Sequence, residues 1–180
     1  MCVLCNIDKT LEEEDIMTDF IYFLQEPLKN YIKIGTTKHL VDRRKNLVAS
    51  NIHVDSLTPL LVKIGDIKLE RAIHRRFKKF KAKGEWFHPE KELLDYIKSH
   101  YLELKEGTSV KDYCGTVLIT KHSKLAGTFG YYDDDYEDED TGKEQAMVFT
   151  KGLGNYNTVF LDYDSFILLD ETKIYEKRKG

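Results

Sequence analysis

Apolar positions in this chain fall into short runs broken by Gly, Pro and charged residues, and the period of each run sets its element. Residues 19–26 (DFIYFLQE) are dense in aromatic and β-branched side chains and predict a strand. A turn at Pro27 to Asn30 leads into YIKIG, a second strand ending at Gly35, so the two form a hairpin. From Thr37 to Ser50, Leu40, Val41, Leu47 and Val48 recur at helical spacing among basic residues, which predicts a short amphipathic helix capped by Thr36 or Thr37. LTPLLVKIG predicts a third strand. Asp66 then caps a longer helix whose stripe of Leu69, Ile73, Phe77 and Phe80 runs on to Gly84. GEWFHPE connects it to a last helix from about Glu90 to Leu104, with Leu93, Leu94, Ile97 and Tyr101 facing inward. The order β-β-α-β-α-α predicts a three-stranded sheet covered by helices.

Beyond Glu106 and Gly107 the pattern changes to short alternating runs: YCGTVLIT, KLAGTFGYY, AMVFT, YNTVFLDY and FILLD. These predict a small all-β barrel or sandwich, vaguely similar to SH3-like barrels, with DDDYEDEDTGKE as a solvated hairpin loop. A fold-level likeness of that kind assigns no ligand. The expected fold class is therefore α+β, with an extension over 1–18, an α+β domain over 19–105 and a β domain over 108–180.

At 180 residues the chain can bury a real core, and its 41% hydrophobic and 33% charged residues are those of a globular protein, not a disordered one. No run approaches the roughly 18 apolar residues of a membrane span, and MCVLCNIDKTLEEED lacks the basic-then-apolar order of a signal peptide. The expectation is a soluble cytoplasmic protein without membrane association. Cys2, Cys5 and Cys114 leave one cysteine unpaired, as suits a reducing compartment. Cys2-x-x-Cys5 has half the spacing of a zinc site, with no second Cys/His pair to complete it.

The net charge of −3 conceals a segregation. Residues 1–20 hold one Lys/Arg against six Asp/Glu, residues 21–105 eighteen against ten, and residues 106–180 nine against fifteen. A basic middle carrying RRKN and HRRFKKFKAK is what a polyanion-binding face looks like, although lysine-rich helix faces can also be merely solvated.

IYF at 21–23, YIKIGTT at 31–37, Arg43 eight residues after Gly35, LERAIHRRF at 69–77 and GEWF at 84–87 follow one another in that order. The set resembles the GIY-YIG nuclease superfamily, and within it the phage-associated and meiotically up-regulated-gene branch, whose second motif reads K-I-G. The resemblance covers about residues 20–100. It implies an endonuclease that hydrolyses phosphodiester bonds, with DNA a likelier substrate than RNA, and Mg²⁺ or Mn²⁺ as cofactor. Such a reaction needs an activated water, positive charge on the phosphoryl oxygens and a stabilised leaving oxyanion.

On that resemblance Glu70 is the metal ligand and Arg43 the contact to the scissile phosphate. Tyr22 is the first-motif tyrosine, whose phenol could hold the nucleophilic water, though a strand tyrosine packing on a helix reads the same. Tyr31 and Lys33 leave one face of the second strand. Lys33 stands where the wider superfamily has a general-base tyrosine, which leaves the base to Lys33, Tyr22 or His74; the branch resembled shares the lysine. His74 follows Glu70 by one helical turn and is a candidate acid, base or phosphate donor. Glu85 orients His74 or Arg43, or caps the local turn. Arg44, Lys45, Arg75 and Lys78 are candidate nucleic-acid contacts, and Trp86 and Phe87 hydrophobic anchors. Gly35 allows close approach of a helix or a phosphate.

Two other functions fit the same residues. A nucleic-acid-binding or regulatory module that has lost turnover is one, kept open by Lys33. The other is a host–phage interaction protein with a protein partner, or an oligomer contact, through the acidic β domain.

Overall fold

The computed structural model describes residues 19–50, 57–151 and 156–174, so the Cys2/Cys5 pair and the 1–18 extension lie outside the described residues. Its first half holds strands β1 (Phe20–Gln25), β2 (Ile32–Thr37) and β3 (Thr58–Ile64), with helices α1 (Leu40–Ser50) and α2 (Ile67–Arg76). The two short strands β4 (Lys81–Lys83) and β5 (Trp86–Phe87) precede helix α3 (Lys91–Lys98). The second half holds β6 (Gly115–Ile119), β7 (Phe129–Glu137), β8 (Glu144–Lys151), β9 (Tyr156–Leu161), β10 (Phe166–Leu168) and the single turn α4 (Glu171–Ile174). The α+β class holds, with two antiparallel sheets ordered β3-β1-β2-β5-β4 and β10-β6-β7-β8-β9.

The β1–β2 hairpin pairs Tyr22 with Gly35 and Leu24 with Lys33. Its turn is built around a buried carboxylate. Glu26 accepts hydrogen bonds from the backbone N–H of Leu28, Lys29 and Tyr31 at 2.9, 2.6 and 3.1 Å, while Asn30 takes a left-handed φ of 59°. Asn tolerates that conformation better than most residues.

Five expectations need correction. The first sheet has five strands, not three, because Trp86 pairs with Lys33 and Phe87 with Ile32, and β4 folds back on them. Helix α2 starts at its Asp66 cap as expected but stops at Arg76. A 3₁₀ turn over Lys78–Phe80 follows it, and Gly84, at φ 59°, serves the β4–β5 turn. Phe77 and Phe80 still stack, with ring centroids 6.4 Å apart, so the apolar stripe outlasts the helix that predicted it. The last helix ends at Lys98 because the next residues join the second sheet: Tyr101 bridges to Leu169, and Leu102 N–H donates to the Leu168 carbonyl at 3.0 Å.

The expected barrel is an open sheet. A barrel closes only when its end strands bond to each other, and here β10 pairs with β6 while β9 pairs with β8. Half of the acidic stretch is strand, since β7 runs to Glu137 and β8 starts at Glu144, and only the segment from Asp138 to Lys143 turns. The halves share a core: Leu118, Leu169 and Ile174 are buried in one cluster with Ile21, Phe23, Ile34 and Phe87.

Candidate functional site

Strand β5 stops after two residues, and this creates the site. Ile34 N–H still bonds to the Glu85 carbonyl at 3.1 Å, but among the described residues no strand continues alongside Gly35 to Thr37 on that side. Helix α2 contributes side chains there: His74 Nε2 lies 3.1 Å from the Ile34 carbonyl. An open strand edge lets side chains from both faces of β2 converge with those of a neighbouring helix.

Thr36 Oγ1 donates to Glu70 Oε2 at 2.8 Å, while Glu70 Oε1 lies 3.7 Å from His74 Nε2. The carboxylate is only 6% exposed, so its position is fixed from both oxygens. A carbonyl can only accept, so His74 Nε2 carries the proton that faces it. The Phe87 ring meets the imidazole edge-on at 5.1 Å and limits its rotation.

Tyr22 is fully buried, and its ring lies across Gly35: a Cβ built at position 35 would fall 2.4 Å from the phenol oxygen. The close approach expected of Gly35 is therefore to this ring. Arg43 Nε donates to the phenol oxygen at 3.3 Å, so the phenol keeps its own proton to donate. Burial pushes the Tyr22 phenol above its ordinary pKa, against the lowering effect of Arg43. It is a neutral hydroxyl at neutral pH. The Tyr22 bond in turn raises Arg43, whose guanidinium is exposed.

Lys33 is 8% exposed and reaches Glu85 Oε2 at 2.7 Å, with its ammonium 5.4 Å from the centre of the Trp86 ring. Partial burial works to raise the Glu85 carboxyl, but the Lys33 hydrogen bond and charge outweigh it, aided by His74 and Arg43, so Glu85 ionises below its usual range. The charges of Glu85 and Glu70 also act on Tyr22. Six of the expected residues thus form one electrostatic group: Tyr22, Lys33, Arg43, Glu70, His74 and Glu85.

Residues 19–101 match the T5orf172 domain. The matched segment runs from the start of β1 to just past α3 and contains all six. T5orf172 is a phage-associated domain often linked to nuclease-like proteins, which suggests interaction with nucleic acid. Neither a curated protein nor a solved structure matches the chain significantly. Among the described residues no helix is long and apolar enough to cross a membrane.

The other expected residues of the T5orf172 segment lie apart from this group. Tyr31 packs edge-on against His88, with ring centroids 5.0 Å apart. Arg44 turns to the opposite side of α1 and donates to the Leu57 carbonyl at 3.2 Å. Lys45, Arg75 and Lys78 are exposed. Thr36 was missed, although it stands beside Gly35 in the motif; its hydroxyl aligns Glu70. Glu85 has Lys33 as its hydrogen-bond partner, where His74, Arg43 or a turn was expected.

Mg²⁺ prefers hard oxygen ligands and keeps several waters. Among the described residues no group of three His, Cys, Asp or Glu could enclose a metal. A lone carboxylate, Glu70, with the Thr36 hydroxyl beside it, fits a loosely held ion whose other positions are water.

Proposed function

We propose that the chain is a Mg²⁺- or Mn²⁺-dependent endonuclease of the GIY-YIG type, hydrolysing phosphodiester bonds of DNA in the cytoplasm, in phage–host conflict or DNA processing. The observation that carries this reading is the gathering of Glu70, His74, Arg43 and Tyr22 at the open edge of β2, inside the T5orf172 match.

Glu70 would hold the cation, which when bound supplies positive charge to the phosphoryl and leaving oxygens. Arg43 keeps its terminal guanidinium nitrogens for the scissile phosphate while Nε stays on Tyr22. Lys33, fixed by Glu85, adds charge beside the strand and does not serve as the base. The Tyr22 phenol donates to the attacking water or to a phosphate oxygen. His74 Nδ1 takes the proton from that water, its ring orientation fixed by the Ile34 carbonyl.

Labelled single- and double-stranded DNA and RNA, incubated with Mg²⁺ or Mn²⁺, test this directly. Glu70→Ala should abolish cleavage and keep nucleic-acid binding. Cleavage in the presence of a chelator, or a fully active Glu70→Ala, would overturn the assignment. The engagement of Lys33 by Glu85 favours one second reading, a binding module without turnover. Salt-dependent binding without nicking across the whole panel would select it.

A further inference from the structure

A second cleft lies on the far side of α1 from the Glu70 group. It measures about 570 Å³ and opens between α1, the start of β3 and the connection from β6 to β7. Arg44, Lys45, Thr120, Lys121, His122 and Ser123 line it, and among the described residues no carboxylate does. The connection is seated against α1 through Gly127, at φ 97°. A Cβ there would stand 3.0 Å from the Leu40 side chain, so only glycine allows both the conformation and the approach.

Among the described residues the cationic groups of the cleft outnumber the anions that meet them, Asp164 on Lys121 being the exception. Arg44 is half-buried, and among the described residues its one hydrogen bond is to the Leu57 carbonyl. Its Nε–H is buried with no acceptor among the described residues. Such a group in a native protein calls for a partner, commonly an ion or a water. Burial holds its pKa below the usual arginine value. Lys45 is exposed and has no ion pair among the described residues. His122 Nδ1 accepts the N–H groups of Lys124 and Leu125 at 3.2 and 3.0 Å, which places its proton on Nε2 as a donor. Lys121 pairs with Asp164 at 2.6 Å, but both side chains are well exposed and such a pair opens readily.

Consecutive residues on a helix project about 100° apart. Arg43 therefore serves the Glu70 group while Arg44 serves the cleft, and α1 presents one cation to each side.

We propose that this cleft binds a phosphate of the nucleic-acid backbone away from the scissile bond, so that the C-terminal sheet completes the substrate track through Lys121, His122 and Ser123. The class of ligand rests on the nuclease reading; the site itself rests on the cleft.

The test uses the full chain in EDTA, with fluorescence anisotropy of labelled single- and double-stranded DNA over a range of salt concentrations. Lys121→Gln and Lys45→Gln, at exposed positions that leave the fold intact, should each weaken binding and lower the log–log salt slope by about 0.7–0.9. Arg44→Gln should do the same. Asp164→Asn frees Lys121 and should leave binding equal or tighter, whereas weaker binding would show that the Lys121–Asp164 pair acts only structurally and would overturn the proposal. Wild-type affinity and slope in both lysine variants would overturn it as well, and if those proteins still cut DNA the nuclease reading survives alone. A wild type that cuts nothing, yet shows the expected slope changes, would instead remove the nuclease reading and keep the cleft. Inorganic phosphate and a mononucleotide serve as competitors. Saturation of the cleft by either one, with no binding of nucleic acid, would assign it to a free phosphate compound and overturn the backbone reading.

Discussion

Tyr22 and Gly35 behave as one unit. The ring occupies the space a side chain at 35 would need, and the hydroxyl it carries is the one Arg43 holds. Gly35→Ala should therefore force the ring aside and break the Arg43 contact, costing about 1–3 kcal/mol of stability by overpacking. Displacing positioning groups by an ångström can cost about 10²-fold in rate, so cleavage should fall far more than the melting temperature suggests. Tyr22→Phe keeps the ring and removes only the hydroxyl, and comparing the two variants by thermal melts and single-turnover cleavage separates packing from chemistry. A Gly35→Ala enzyme of full activity would refute the coupling. The motif spacing made both residues legible in the sequence. It could not show that they touch, because contact across a hairpin depends on register; Pro27 to Asn30 announced a turn, but not the Glu26 carboxylate whose hydrogen bonds set its geometry.

Among the elements, α2 does most for the site, since its first turn carries Glu70 and its last His74. Asp66 Oδ1 caps it by accepting from Lys68 and Leu69 N–H, each at 3.0 Å. Asp66→Ala should cost about 1 kcal/mol, or about 2–4 °C in melting temperature for a chain of this size, and should loosen Glu70 enough to lower cleavage. Asp66→Asn, which can still cap, should restore both; equal losses in the two variants would count against capping as the cause. The cap was legible because an Asp before an apolar-periodic run has a local mechanism. The helix end was not, since Phe77 and Phe80 continue the stripe and only tertiary packing on Tyr96 turns the chain into a 3₁₀ step. Strand β5 was illegible for a different reason: two residues carry no periodicity. Yet its shortness opens the β2 edge, so the feature that makes the site is the one a pattern along the chain cannot express.

At the scale of the molecule, Tyr101 ties the two sheets together. Its hydroxyl donates to the Leu60 carbonyl of β3 at 2.8 Å while its backbone bridges to Leu169. Burial pushes its phenol from 10.0 to about 12. A folded pKa raised above the unfolded one means a contribution complete below pH 10 and lost as the pH climbs toward about 12. Stability measured by denaturant titration should fall across that window, and Tyr101→Phe should flatten the fall while lowering stability at neutral pH by about 1 kcal/mol. An unchanged alkaline profile in the variant would place the transition elsewhere. The two sheets were readable as a change of pattern near Gly107. Their common core was not, because burial of Leu118, Leu169 and Ile174 against the first half is a long-range fact.

That common core sets a limit on how such a chain can be rearranged in evolution. The T5orf172 match ends at residue 101, yet the apolar interior built around it is completed by side chains up to Ile174. A recombination joint just after the matched segment would strip that interior of three of its members. A new C-terminal partner would have to bring apolar residues to the same places to close that interior.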